Sequence, residues 1–135
     1  MYKEAIRRHA DRVVAASAQG DGRARLLALV DASARLYASH TPFYRVLGSL
    51  HVAAASERPA LADVARRMQG SQRDFMIGLV RQGQRDGSIR PELDAEAVGL
   101  TVNAALAGFL TQQLEPPAQQ RRWVAKFRSL LEDLL

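Results

Sequence analysis

The chain has 135 residues, the usual size of one domain, and its hydrophobic fraction of 47% is ordinary for a folded globular protein. It contains no cysteine, which excludes disulfides and thiolate metal sites and fits a cytoplasmic protein. The net charge is +5, but the arginines are dispersed among apolar positions at helical spacing, which favours solvated helix faces over a nucleic-acid-binding surface.

The first two predicted helices are separated by a glycine-containing break. The first is predicted from Tyr2 to Ala18, with His9 on its apolar face. The break is Gly20-Asp21-Gly22, and Asp21 is expected to cap the second helix, which is predicted from Arg23 to Ser39.

Two start signals that contain proline follow. Thr41-Pro42 offers a capping hydroxyl and a proline at the first helical position, which predicts a third helix from Phe43 to Ala55. Ser56-Glu57-Arg58-Pro59 begins a long fourth helix that is expected to end near Gln84. Three glycines, which are expected to weaken this helix and to allow a local bend, are Gly70, Gly78 and Gly83.

The last third of the chain is predicted to form two helices. The first, Asp94–Glu115 with Asp94 as its cap, is apolar on nearly every side and therefore needs burial on every side. The second, Pro117–Leu135, carries a wide apolar stripe to the end of the chain, where termini normally fray. A second copy of the chain is expected to cover these helices, which gives a homodimer with a four-helix bundle. The residues expected at this interface are Leu100, Ala104, Ala107, Gly108, Trp123, Phe127 and Leu131.

The pattern as a whole predicts one all-α domain of six helices over residues 1–135. No stretch alternates with period two, and no apolar run is long enough to span a membrane. His9, His40 and His51 include no pair at helical metal-ligand spacing, and no nucleophile elbow or phosphate-binding loop is present. We therefore expect no enzyme activity, no metal and no cofactor.

Four polar residues lie in or beside apolar stripes on four different predicted helices. They are His9, Ser33, His51 and Gln72. Buried polar groups need hydrogen-bond partners, so they indicate either a packed core with local side-chain bonds or a cavity with polar points on an apolar wall. The stripes alone favour the packed core.

Two stretches resemble a known family. Tyr2-Lys3-Glu4-Ala5-Ile6 is similar to the helix that follows the DNA-binding module in bacterial TetR-family regulators. The segment from Gly87 to Asp94, followed by a helix with Ala107-Gly108-Phe109, resembles the entry into the dimerisation helices of that family. The resemblance implies the C-terminal regulatory domain, with a ligand pocket among the first four helices and a dimer built by the last two. The helix-turn-helix module of the family would precede Tyr2 and is not in this chain, so DNA is expected as a partner only through such a module.

The resemblance shifts the interpretation of the polar residues from a packed core to a pocket. The residues expected to line it are His9, Ser33, Tyr37, His51, Gln72, Phe75 and Met76. The expected occupant is a small, largely apolar or amphipathic effector. The alternative is a helical homodimerisation or adaptor module that binds no effector.

Overall fold

The computed structural model describes residues 2–37, 59–111 and 116–135. These ranges contain five α-helices and no strand, so the all-α prediction is confirmed for the described part of the chain. The helix predicted from Phe43 to Ala55 lies outside the described residues, and the total of six helices stays a prediction. The five helices are α1 (Tyr2–Ala16), α2 (Gly22–Tyr37), α3 (Pro59–Asp86), α4 (Ala95–Thr111) and α5 (Pro117–Leu134).

Helix α2 is the element against which the other four described helices pack. Its inward side chains Leu26, Leu29 and Val30 are completely or almost completely buried. Full burial of each such side chain stabilises a fold by about 1.5–3 kcal/mol. Helix α3 also packs along α4. The core is therefore built around α2 rather than around the two C-terminal helices.

The start of α2 crosses the end of α3 at two glycines. A β-carbon on Gly22 would lie 2.1 Å from the backbone nitrogen of Gly83, closer than any real pair of such atoms. A β-carbon on Gly83 would lie 2.4 Å from Cδ1 of Ile89, which is buried in the core. Gly83 therefore permits the close approach of two backbones as well as weakening its helix.

Side chains from two parts of the chain satisfy the free N–H groups at the start of α2. The predicted cap is confirmed, since Asp21 Oδ1 accepts a hydrogen bond of 2.8 Å from the Ala24 nitrogen. The other two acceptors lie at the end of α3 and just beyond it: Asp86 Oδ2 lies 2.8 Å from the Gly22 nitrogen, and Ser88 Oγ lies 3.1 Å from the Arg23 nitrogen. These hydrogen bonds hold the start of α2 against the end of α3, where Gly22 and Gly83 meet.

The pKa of Asp86 lies below the ordinary value of an aspartate. The Ser88 hydroxyl, which donates to Asp86 Oδ1 at 2.6 Å, is the largest cause, followed by the Gly22 and Ser88 backbone N–H groups. All three donors stabilise the ionised carboxylate. Because the folded-state pKa is lowered, this stabilisation is present above the unfolded-state pKa and is lost as the pH falls through the folded-state value.

We expect the domain to lose stability below about pH 4 partly through protonation of Asp86. Asp86→Asn should lower stability at neutral pH and should flatten the dependence on pH below this value. Asp133→Asn is the matched control, because Asp133 is an exposed carboxylate on α5 that takes no part in the hydrogen bonds between Asp86, Gly22 and Ser88. Urea unfolding of the three proteins between pH 3 and pH 6 makes the comparison, and identical pH profiles for the two variants would refute the role given to Asp86.

The beginning of α4 follows the sequence prediction. Asp94 Oδ1 accepts hydrogen bonds from the backbone nitrogens of Glu96 and Ala97, at 3.0 and 3.2 Å. Leu93 and Val98, which flank this cap, both pack into the hydrophobic core.

The end of the chain is held by its own subunit. Leu135 is buried, and its carbonyl accepts a hydrogen bond from the Arg90 nitrogen at 3.3 Å. The Arg90 guanidinium donates to the Leu134 carbonyl, and Arg23 Nη2 donates to the Glu132 carbonyl at 3.1 Å. The loop before α4 and the start of α2 therefore hold this terminus within one subunit, and the dimer expected from the last two helices stays a prediction.

Candidate functional site

A cavity of about 200 Å³ lies between α1, α2 and α3. None of the described residues that line it is charged, and its polar groups are two serine hydroxyls and one glutamine amide. A mainly carbon surface with a few directional polar groups is typical of a small-molecule site. The described lining residues are Ala10, Val13, Val14, Leu29, Ser33, Ser71, Gln72, Phe75 and Met76.

Helical spacing brings these side chains to one place. Leu29 and Ser33 are four residues apart on α2, so they project from the same face of that helix. Helix α2 packs against both α1 and α3, whose lining residues form the two walls on either side of it. Val14 on α1 and Ser71 on α3 are exposed, so the cavity opens to solvent between these helices.

Four of the seven residues predicted for the pocket line this cavity, namely Ser33, Gln72, Phe75 and Met76. His9 is only 2% exposed and precedes Ala10 on α1, but it is not among the lining residues. The side chain of Tyr37, at the end of α2, and all of His51 lie outside the described part of the structure.

The sequence prediction missed five lining residues. Leu29 lies four residues before Ser33 and Val13 four residues after His9, so apolar periodicity marks both as inward-facing. Ala10 and Ser71 carry no such signal, because an alanine or a serine that faces a cavity cannot be told from one that faces solvent by the sequence alone. The missed residues are Ala10, Val13, Val14, Leu29 and Ser71.

Helices α4 and α5 carry a second feature of interest, an exposed apolar surface. On α4, Leu100 is 43% exposed, Ala104 is exposed, and Ala107 and Gly108 are partly exposed. A β-carbon on Gly108 would meet no atom within 4 Å. By contrast, a β-carbon on Gly99 would lie 2.4 Å from Ile77 Cγ1, so that glycine serves the contact between α4 and α3.

On α5 the predicted interface residues are divided between the subunit core and its surface. Leu131 is only 3% exposed and belongs to the core of its own subunit, so it offers little area to a partner. Phe127 is half-buried, and its ring centre lies 5.9 Å from that of Phe109 on α4. Trp123 is also half-buried. Among the large apolar side chains described on α5, Leu130 is the most exposed, at 71%, and it is not among the predicted interface residues.

Comparison with known families adds to this geometry. The family described as "BetI-type transcriptional repressor, C-terminal" matches residues 22–135. The chain belongs to this family. The match confirms the resemblance to the C-terminal regulatory domain of a TetR-family regulator. No curated protein and no solved structure gives a significant match to the chain.

The match places the cavity of this BetI-type domain at the edge of the family segment. Residues from α2 and α3 lie within the matched range, whereas Ala10, Val13 and Val14 on α1 precede it.

Within residues 2–37, 59–111 and 116–135, no group of three histidine, cysteine or acidic side chains is arranged to hold a metal ion. In the same ranges, no helix is both long and apolar enough to cross a membrane.

Proposed function

We propose that this chain is the effector-binding and dimerisation domain of a bacterial TetR-family transcription regulator that acts in the cytoplasm. A small, largely apolar or amphipathic molecule binds in the cavity between α1, α2 and α3. The observation that carries this proposal is the cavity itself: three helices border it, its described lining is uncharged, and it opens to solvent beside Val14 and Ser71.

The side chains that line the cavity indicate which kind of effector would bind there. Leu29, Phe75 and Met76 supply apolar contact, and a flat or elongated organic molecule fits such walls better than a sugar or a nucleotide. Gln72 and Ser33 offer a few hydrogen bonds that can orient a carbonyl or hydroxyl group. The described lining has no counter-charge, so burying a charged group of the ligand there is unfavourable.

The proposed effector acts by preferring one arrangement of the three helices. It contacts α1 and α3 at the same time, and only a difference in affinity between two arrangements can shift their populations. If a helix-turn-helix module is joined to α1, such a shift would change the distance between the two modules of a dimer. The dimer would then fit the two half-sites of its DNA site better or worse.

A homodimerisation module that binds no effector is the second candidate. The specific observation in its favour is the size of the cavity, since about 200 Å³ is below the roughly 300–1,000 Å³ of most ligand pockets. The exposed apolar residues of α4 and α5 support dimerisation under either proposal.

A substitution at the mouth of the cavity separates the two candidates. We expect the neutral fluorescent probe N-phenyl-1-naphthylamine to bind saturably, and Ser71→Trp to weaken its binding at least about tenfold, equivalent to about 1.4 kcal/mol. The indole would occupy the opening, and Ser71 is exposed, so the fold should tolerate it. Arg81→Trp, at an exposed position of α3 outside the lining, is the control and should leave the affinity unchanged.

Two further results complete this test. Gln72→Leu should change which ligands bind more than it changes the free energy of unfolding, because leucine suits a half-buried position on α3. A folded, dimeric protein that shows no saturable binding, or equal weakening by Ser71→Trp and Arg81→Trp, would favour the module without an effector.

A further inference from the structure

Helices α2 and α5 pack in antiparallel directions, with complementary polar contacts along part of their length. Arg23 near the start of α2 donates to the Glu132 carbonyl near the end of α5. Further along the same two helices, Arg128 Nε lies 2.7 Å from Asp31 Oδ1. Because the helices are antiparallel, a later residue on α2 faces an earlier residue on α5. The next facing positions are therefore near the end of α2 and the start of α5.

A groove of about 250 Å³ lies between the two helices at those next positions. Small side chains on both helices leave this space open, and Val124 forms a buried part of its floor. This groove is distinct from the effector cavity, since the two share no described lining residue. Its described lining residues are Asp31, Ala34, Arg35, Arg121, Val124, Ala125 and Arg128.

The groove has an excess of positive charge. Asp31 is its one described carboxylate and is already bound to Arg128, which also pairs with Glu132. Arg35 and Arg121 come from opposite helices, and neither forms an ion pair with a carboxylate in the described part of the chain. Both guanidinium groups are exposed and border the same groove, so an anion there can approach both of them.

We propose that this groove is a second binding site, which takes a small oxyanion carried on a short apolar body. Arg35 and Arg121 hold a carboxylate or phosphate group, because the guanidinium fork matches the geometry of both. Ala34, Val124 and Ala125 contact the apolar body. Duplex DNA fits less well, since it is bound by rows of cations on an open surface, whereas here two cations face one concave space.

An anion in this site links the core helix α2 to α5, one of the helices with an exposed apolar surface. The site therefore offers a way for an anionic metabolite to stabilise the domain independently of the effector cavity. The inference does not depend on the proposed effector, and either site can fail its test without affecting the other.

The test is calorimetric titration of the whole chain with sodium benzoate and, separately, with sodium phenyl phosphate, which carry the same apolar ring, at an ionic strength held constant with sodium chloride. We expect one saturable site per chain for at least one probe, and the probe that binds identifies the oxyanion. Arg121→Gln and Arg35→Gln should each weaken this binding at least tenfold. Arg122→Gln is the matched control, since it removes the same charge from the next, exposed residue of α5 and should change the affinity less than twofold.

The same variants give a second measurement. Bound probe should raise the melting temperature of the parent chain by mass action, and Arg121→Gln should reduce this rise more than Arg122→Gln does. The proposal is overturned if neither probe binds, or if Arg121→Gln and Arg122→Gln weaken binding equally. Binding of duplex DNA that depends on Arg121, without binding of either small anion, would also overturn it.

Discussion

Gly22→Ala is expected to lower the free energy of unfolding by about 3 kcal/mol, the upper end of the usual cost of adding a methyl group to a filled space. The added carbon would overlap the Gly83 backbone and would also lie 2.7 Å from the Leu79 carbonyl oxygen. Backbone atoms cannot move aside as the end of a flexible side chain can. Helix α2 would have to shift away from α3, which would break the hydrogen bond between the Gly22 nitrogen and Asp86.

Gly78→Ala is the matched control for this prediction. Gly78 lies on the exposed side of α3, and a β-carbon there would meet no atom within 4 Å. Alanine should therefore raise the free energy of unfolding by about 0.5–1 kcal/mol, because glycine is the poorer helix former. Urea unfolding at one protein concentration measures both variants, and equal effects of the two substitutions would show that the backbones do not meet at Gly22.

The second large effect is expected in the oligomeric state. At micromolar concentration, light scattering should give twice the chain mass of 14.8 kDa. Leu130 and Leu134 on α5 and Leu100 on α4 are exposed apolar side chains, and a partner would bury them. The open space at Gly108 would let a partner helix approach closely. Leu130→Arg should weaken the dimer at least about 100-fold, since it would bury an unpaired charge at the interface.

Leu130 tests the interface better than Phe127 does. Phe127 packs against Phe109 within one subunit, so Phe127→Arg would damage the subunit as well as the interface. Val14→Arg is the control, because Val14 is 45% exposed and lies on α1, which packs mainly on α2. A monomeric parent chain, or dissociation by both substitutions alike, would contradict the predicted dimer.

The features that could be predicted from the sequence depend on residues close together in the chain. The caps Asp21 and Asp94 were predicted because a capping side chain acts on nitrogens two or three residues away. The meeting of Gly22 and Gly83 could not be predicted, since each glycine alone looks like a break or a weak helical position. Gly22 and Gly83 allow a close backbone contact only because α2 and α3 cross at these two residues.

The division between buried and exposed residues on the last helix has a similar cause. Leu130 and Leu131 are adjacent members of one wide apolar stripe, so periodicity cannot tell which faces the subunit core. The packing of α5 on α2 sets its rotation, which buries Leu131 and exposes Leu130. In the cavity, Gln72 and Met76 were predicted together because residues four apart share a helix face.

The central proposal, an effector that binds between α1, α2 and α3, is tested most directly at the methionine methyl groups. The chain has three methionines; Met76 lines the cavity, whereas Met68 is buried in the core outside its lining. With ¹³C-methyl methionine labelling, titration with N-phenyl-1-naphthylamine should shift the Met76 signal saturably and leave the Met68 signal in place. An unchanged Met76 signal at saturating probe, or equal shifts of both signals, would contradict binding in this cavity.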